Sequence, residues 1–132
     1  MKILRTSLLL LVAISAHLSA GQPAVSATDG WIAAPAAGAT TAAAYVTIQN
    51  PTMYDIYVVS ASAEVAGKIE FRDGDKPAKD LTVPSFGSLE LKSGESSMVL
   101  MELKRPLQAG ETIELTLRTD GGLSLKVAAL VK

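Results

Sequence analysis

Residues 112–118, Thr-Ile-Glu-Leu-Thr-Leu-Arg, carry an apolar side chain at every second position, and residues 123–127, Leu-Ser-Leu-Lys-Val, do the same. A period of two is that of a strand with one buried face. Between them Asp120-Gly121-Gly122 supplies glycines that accept positive backbone angles, so the spacing predicts a hairpin in which the two strands pair. Residues 88–92, Ser-Leu-Glu-Leu-Lys, form a third alternating segment. Residues 45–49, closed by Asn50-Pro51, and 56–61 are more continuously apolar and read as central strands covered on both faces. Shorter strands are expected around 25–31, 68–72 and 98–103. Turn residues punctuate the chain at Asn50-Pro51, Asp73-Gly74, Ser93-Gly94 and Ala109-Gly110. The alanine-rich stretch 33–44 reads as a loop leading into a strand, with an alanine helix as the alternative on propensity alone.

Many short strands separated by Gly and Pro, with no long helical period, predict an all-β fold: a sandwich of two mainly antiparallel sheets, or a barrel. The first twenty residues stand apart. Lys2 and Arg5 precede an apolar run, residues 7–16, too short to span a bilayer, and small residues follow, the pattern of a secretory signal peptide. Cleavage is expected after Ala20, with Ala27 as the later alternative; the Ala20 cut is preferred because the other removes residues of the first strand. One domain, 21–132, is expected to remain, with no second apolar stretch of membrane-spanning length.

Composition narrows the chemistry. The chain has no cysteine and one histidine, His17, which leaves with the signal peptide. Disulfides, thiolate zinc sites and cysteine nucleophiles are thereby excluded. Full-length charge is −1, from 12 basic and 13 acidic residues; removing Lys2 and Arg5 leaves 10 minus 13, or −3, no field for gripping nucleic acid. A protein exported by a bacterium, periplasmic or secreted, is expected.

A family resemblance rests on collinear segments: Trp31-Ile32-Ala33-Ala34-Pro35, then Ala43-Ala44-Tyr45-Val46-Thr47-Ile48-Gln49-Asn50-Pro51, then Gly67-Lys68-Ile69-Glu70, and Met101-Glu102-Leu103-Lys104-Arg105-Pro106-Leu107 followed by Gly110-Glu111-Thr112. Together they resemble the periplasmic copper chaperones called PCu(A)C along nearly the whole mature chain. The resemblance implies a cupredoxin-like β-sandwich that carries Cu(I), and sometimes Cu(II), to cytochrome oxidase or related acceptors. It also implies His and Met ligands, because Cu(I) is soft and favours imidazole and thioether donors. This chain departs from the pattern at those positions. Arg72 stands at the first histidine, the methionine-bearing loop is replaced by a shorter one around Asp75, and Ser97 and Val99 stand at the closing histidine and methionine. Arg72 adds a permanent cation where a metal ion would sit.

Three thioethers outlast the signal peptide: Met53, Met98 and Met101. Met98 and Met101 are three apart, so a regular strand sends them to opposite faces. A bulge at Ser96-Ser97 would shift the register and bring Met98 to the Val99 position. Packing is the ordinary role of such methionines, and Met53 is expected to be exposed or to lie over the core. Glu70, Asp73 and Asp75 suggest a hard-cation site, but Arg72, Lys76 and Lys79 lie among them, which favours a solvated loop. Ser96, Ser97 and Ser124 lack a base. Trp31 and the tyrosines suggest a stacking platform, yet Trp31 is expected to be buried.

Three readings follow. The first is a PCu(A)C-like protein whose copper site has lost its ligands, binding no cofactor itself and acting beside a periplasmic copper protein or an oxidase-assembly factor. The second is a working Cu(I) chaperone that uses its methionines in a shifted register. The third is an envelope binding module without metal on the same scaffold. No enzyme is expected, since neither His nor Cys remains and the carboxylates and lysines form no catalytic pair.

Overall fold

The computed structural model describes residues 24–132, and every regular element among them is a strand. In chain order these are β1 (Ser26–Ile32), β2 (Ala42–Asn50), β3 (Ile56–Ser62), β4 (Ala66–Asp73), β5 (Lys76–Ala78), β6 (Leu81–Val83), β7 (Gly87–Glu90), β8 (Ser96–Leu103), β9 (Thr112–Thr119) and β10 (Ser124–Val131). The expected signal peptide, 1–20, lies outside the described residues. The alternative cut after Ala27 falls inside β1, where Ser26, Ala27 and Thr28 pair with Gln49, Ile48 and Thr47.

Hydrogen bonds link the strands in the order β5-β4-β8-β2-β1-β10-β9-β3-β6, with β7 on β2. All pairings are antiparallel except β1 with β10. Strands β5 and β6 end that path, yet only Lys79 and Asp80 separate them in sequence. The path must therefore curl over on itself, and its inner surface becomes the core of an all-β sandwich. That core is aliphatic: Ile32, Val46, Ile48, Val58, Val83, Leu100, Leu115, Leu117 and Val131 are fully enclosed.

The expected β9–β10 hairpin is present, with pairing from Ser124↔Arg118 to Leu130↔Thr112. Its inward residues, Ile113, Leu115 and Leu117 against Leu125, Val127 and Ala129, are the alternating apolar positions. Gly122, at φ +83, shapes the connection while its N–H donates to the Thr119 carbonyl. The alanine-rich stretch is a loop up to Thr41, and Ala42 opens β2.

Three expectations need correction. The segment at 56–61 forms β3, but Tyr57, Val59 and Ser60 are exposed, so only one face is covered. It lies next to the last position in the path, beside the three-residue β6, and a run of apolar residues does not reveal whether its second face has a neighbour. The polar loop after Arg72 contains a hairpin, β4–β5, turning at Gly74-Asp75 with Gly74 at φ +64. Trp31 is half-buried rather than buried. It stacks on Tyr45 with ring centroids 4.6 Å apart, and the Lys132 ammonium lies 5.3 Å from its ring centroid.

Candidate functional site

Strands β4 and β8 pair without a register break from Ala66↔Leu103 to Asp73↔Ser96. Within that ladder Arg72 is opposite Ser97 and Glu70 is opposite Val99. Directly paired residues share a face and alternate residues return to it, so Arg72, Glu70, Ser97 and Val99 lie on one side of the two strands. All four are half-buried. The other side carries Phe71, paired with Met98, and Leu100, all in the core.

At the end of this pair, the β4–β5 turn is tied to the turn before β8. The Gly74 N–H donates to the Glu95 carbonyl at 3.0 Å, and Lys92 N–H donates to the Ser96 carbonyl. Asp75 sits in that first turn, exposed. Three of the four positions that the resemblance assigned to copper ligation thus share a face, and the fourth lies at the adjoining corner.

The chemistry of the group is that of an ion pair. Arg72 Nη2 is 3.8 Å from a Glu70 carboxylate oxygen, and both side chains retain some solvent contact. Arg72 Nε is buried and has no hydrogen-bond partner among the described residues. A serine hydroxyl, a valine and a guanidinium offer no soft donor, so these residues do not fit Cu(I). Two like unit charges about 4 Å apart near a protein surface repel by roughly 4 kcal/mol, so the guanidinium opposes a cation here, offset in part by Glu70.

The methionines are not brought together. Met98 is enclosed in the core, Met101 is half-buried on the opposite face of the same strand, and Met53 stands 66% exposed on the β2–β3 loop. The bulge that would have shifted Met98 is absent, since the β4–β8 ladder is continuous across Ser96 and Ser97. Glu70 is ion-paired with Arg72, and Asp73, three residues on, is opposite Lys76 in the β4–β5 ladder, so the carboxylates do not gather into a three-carboxylate cluster. The described residues hold no group of three or more His, Cys, Asp or Glu side chains fit for a metal ion.

The larger clefts lie elsewhere. One of about 670 Å³ is lined by Glu64, Arg105 and Glu114, and one of about 430 Å³ borders Trp31, Asp29 and Glu90. Sequence reasoning did not anticipate the lock on the β8–β9 loop. Arg105 donates two hydrogen bonds to the Glu111 carboxylate, at 2.7 and 3.2 Å, and the Gln108 N–H adds a third at 2.8 Å. These contacts hold the Glu111 carboxyl below the ordinary glutamate range and raise Arg105 further. The Arg-Pro-Leu and Gly-Glu-Thr segments quoted for the resemblance are the signal that marks this loop.

The LpqE-like family model, described as "Putative lipoprotein LpqE-like", matches residues 25–131, which span β1 to β10. The chain belongs to the LpqE-like family. A relative from Leifsonia xyli subsp. xyli, "Putative lipoprotein Lxx21020", is 30% identical over 117 residues, covering 82% of this chain and 69% of the relative. Among solved structures, Cu(I)-bound DR1885 from Deinococcus radiodurans is 32% identical with a TM-score of 0.73, over 87% of this chain and 83% of that one. The copper-bound PCuAC domain from PmoF2 has a TM-score of 0.76 at 18% identity, over 82% and 92% of the two chains, a likeness of fold. This LpqE-like protein is therefore a PCu(A)C family member with the cupredoxin-like sandwich. Among its described residues no helix is long and apolar enough to cross a membrane.

Proposed function

We propose that this LpqE-like protein is an exported PCu(A)C-type binding or accessory protein for copper handling or oxidase assembly, and that it carries no copper ion itself. The observation that supports this most is the Arg72–Glu70 ion pair opposite Ser97 and Val99, where the resemblance calls for soft donors. A guanidinium cannot be deprotonated at any working pH, so no change of conditions turns this group into a ligand. Domain 21–132 is the working unit, because cleavage after Ala20 leaves β1 whole. The reading is of a non-enzyme.

The working-chaperone alternative requires converging thioethers, and the positions of Met53, Met98 and Met101 speak against it. The test is titration of the full mature protein with Cu(I) in the presence of a competing chelator. The proposal expects the chelator to keep the copper; tight one-to-one uptake would overturn it. Met98→Leu and Met101→Leu variants then tell whether a methionine set is responsible.

A further inference from the structure

At one end of the sandwich two loops are fastened to each other. The Phe86 N–H, from the β6–β7 loop, donates to the Thr52 carbonyl of the β2–β3 loop at 2.9 Å, and the Ser85 N–H donates to Asp55 Oδ1 at 2.9 Å. Beneath them Asn50 is buried. Its Nδ2 donates to the carbonyls of Tyr54, at 2.7 Å, and Val83, at 3.1 Å. Its Oδ1 accepts from the Thr52 N–H and hydroxyl, at 3.1 and 2.6 Å. A buried amide with both ends satisfied fixes the two loops as one unit.

That unit presents its apolar side chains to water. Met53, Tyr54 and Phe86 are 66%, 71% and 74% exposed. Phe86 also has a left-handed backbone, φ +54, a conformation a bulky residue adopts only when its surroundings impose it. Beside it is a cleft of about 330 Å³ bordered by Gln49, Pro51 and Ser88. An aromatic side chain held out under strain, with no aromatic partner among the described residues, is organised in advance for contact.

Charge and area define the occupant. Residues 50–67 and 81–91 contain no Lys or Arg; Asp55 and Asp120 are exposed at the rim, and the exposed Arg118 lies two residues back from Asp120 on β9, beside Ser60. Asp120 belongs there because its N–H and carboxylate bond the backbone of Tyr57. An acidic rim repels an anionic lipid surface, which basic residues would be needed to attract. Three side chains of this size expose roughly 300–500 Å², short of the ~800 Å² per partner of a stable complex. We propose that Met53, Tyr54 and Phe86 form a docking tip for a protein that offers an apolar pocket ringed by basic side chains, in a transient complex. This does not depend on the copper reading.

The test places photoreactive benzoylphenylalanine at position 86 of the full chain, in cells that produce it, with the exposed position 114, further down β9 from the tip, as control. The expected product is one adduct with a different protein, lost when Met53→Ser and Tyr54→Ser are combined. That protein, identified and purified, should bind the full chain less tightly as salt rises, and at least about 10-fold less tightly to Phe86→Gly. Phe86→Gly suits φ +54, so its melting temperature should equal or exceed that of the parent, which separates binding from folding. Tyr54→Ser supplies a second variant with the backbone untouched. A self-adduct, a lipid adduct, no adduct beyond the control, or binding unchanged by Phe86→Gly and Tyr54→Ser overturns the proposal.

Discussion

Arg72 and Ser97 face each other across β4 and β8, on the side of the pair turned away from the core. The same ladder places Val99 two residues further along that face, opposite Glu70. A scaffold that already aligns these positions needs only donor atoms to become a Cu(I) site. Combining Arg72→His, Ser97→His and Val99→Met should take Cu(I) uptake under a competing chelator from none to one equivalent. Failure of the triple variant to gain copper while remaining folded would show that the face does not converge as described.

Met98 behaves as core in this account. Met98→Leu, which keeps volume, should cost less than about 1.5 kcal/mol, whereas Met98→Ala should cost about 2–5 kcal/mol through the cavity it leaves. Chemical denaturation measures both. A large loss for the leucine variant would point to a role for the sulfur that packing does not supply.

How much of this was legible in the sequence differs by element. The β9–β10 hairpin was readable because Ile113, Leu115, Leu117, Leu125 and Val127 each repeat the period of a one-sided strand. Strands β5 and β6, Lys-Pro-Ala and Leu-Thr-Val, were not, because three residues carry no period; β5 closes a local hairpin on β4 through a proline-bearing segment, and β6 takes its partner, β3, from about 25 residues upstream. Residues 56–61 misled for a related reason, since β-branched side chains suit an exposed strand as well as a covered one. The substituted positions at Arg72, Ser97 and Val99 could be counted along the chain, but the unbroken register that puts them on one face could not. Phe86 carried a weak signal, an aromatic inside Pro84-Ser85-Phe86-Gly87 where turn residues otherwise dominate.

Asn50 holds the two apical loops through its side chain. Asn50→Ala leaves the buried Val83 carbonyl without its partner and should destabilise the fold by about 1–3 kcal/mol. Hydrogen exchange should quicken at Tyr54, Ser85 and Phe86 first. Unchanged protection there would mean that the backbone contacts alone fasten the loops.

The Arg105–Glu111 lock has a defined pH signature. The Glu111 carboxyl is lowered chiefly by the Arg105 hydrogen bonds and then by the Gln108 N–H. A carboxyl whose pKa is depressed in the folded state contributes stability above its unfolded pKa and loses it as pH falls through the folded value. Glu111→Gln should therefore melt below the parent at neutral pH, with the gap closing as the solution is acidified past the glutamate range. A gap that persists in acid would assign the effect to packing.

The central claim concerns copper at the Arg72 face. The most direct measurement is the copper content of the mature protein isolated from copper-fed cells under reducing, oxygen-free conditions. The account predicts protein essentially free of copper after one passage through a competing chelator. One firmly held cuprous ion per chain would contradict it.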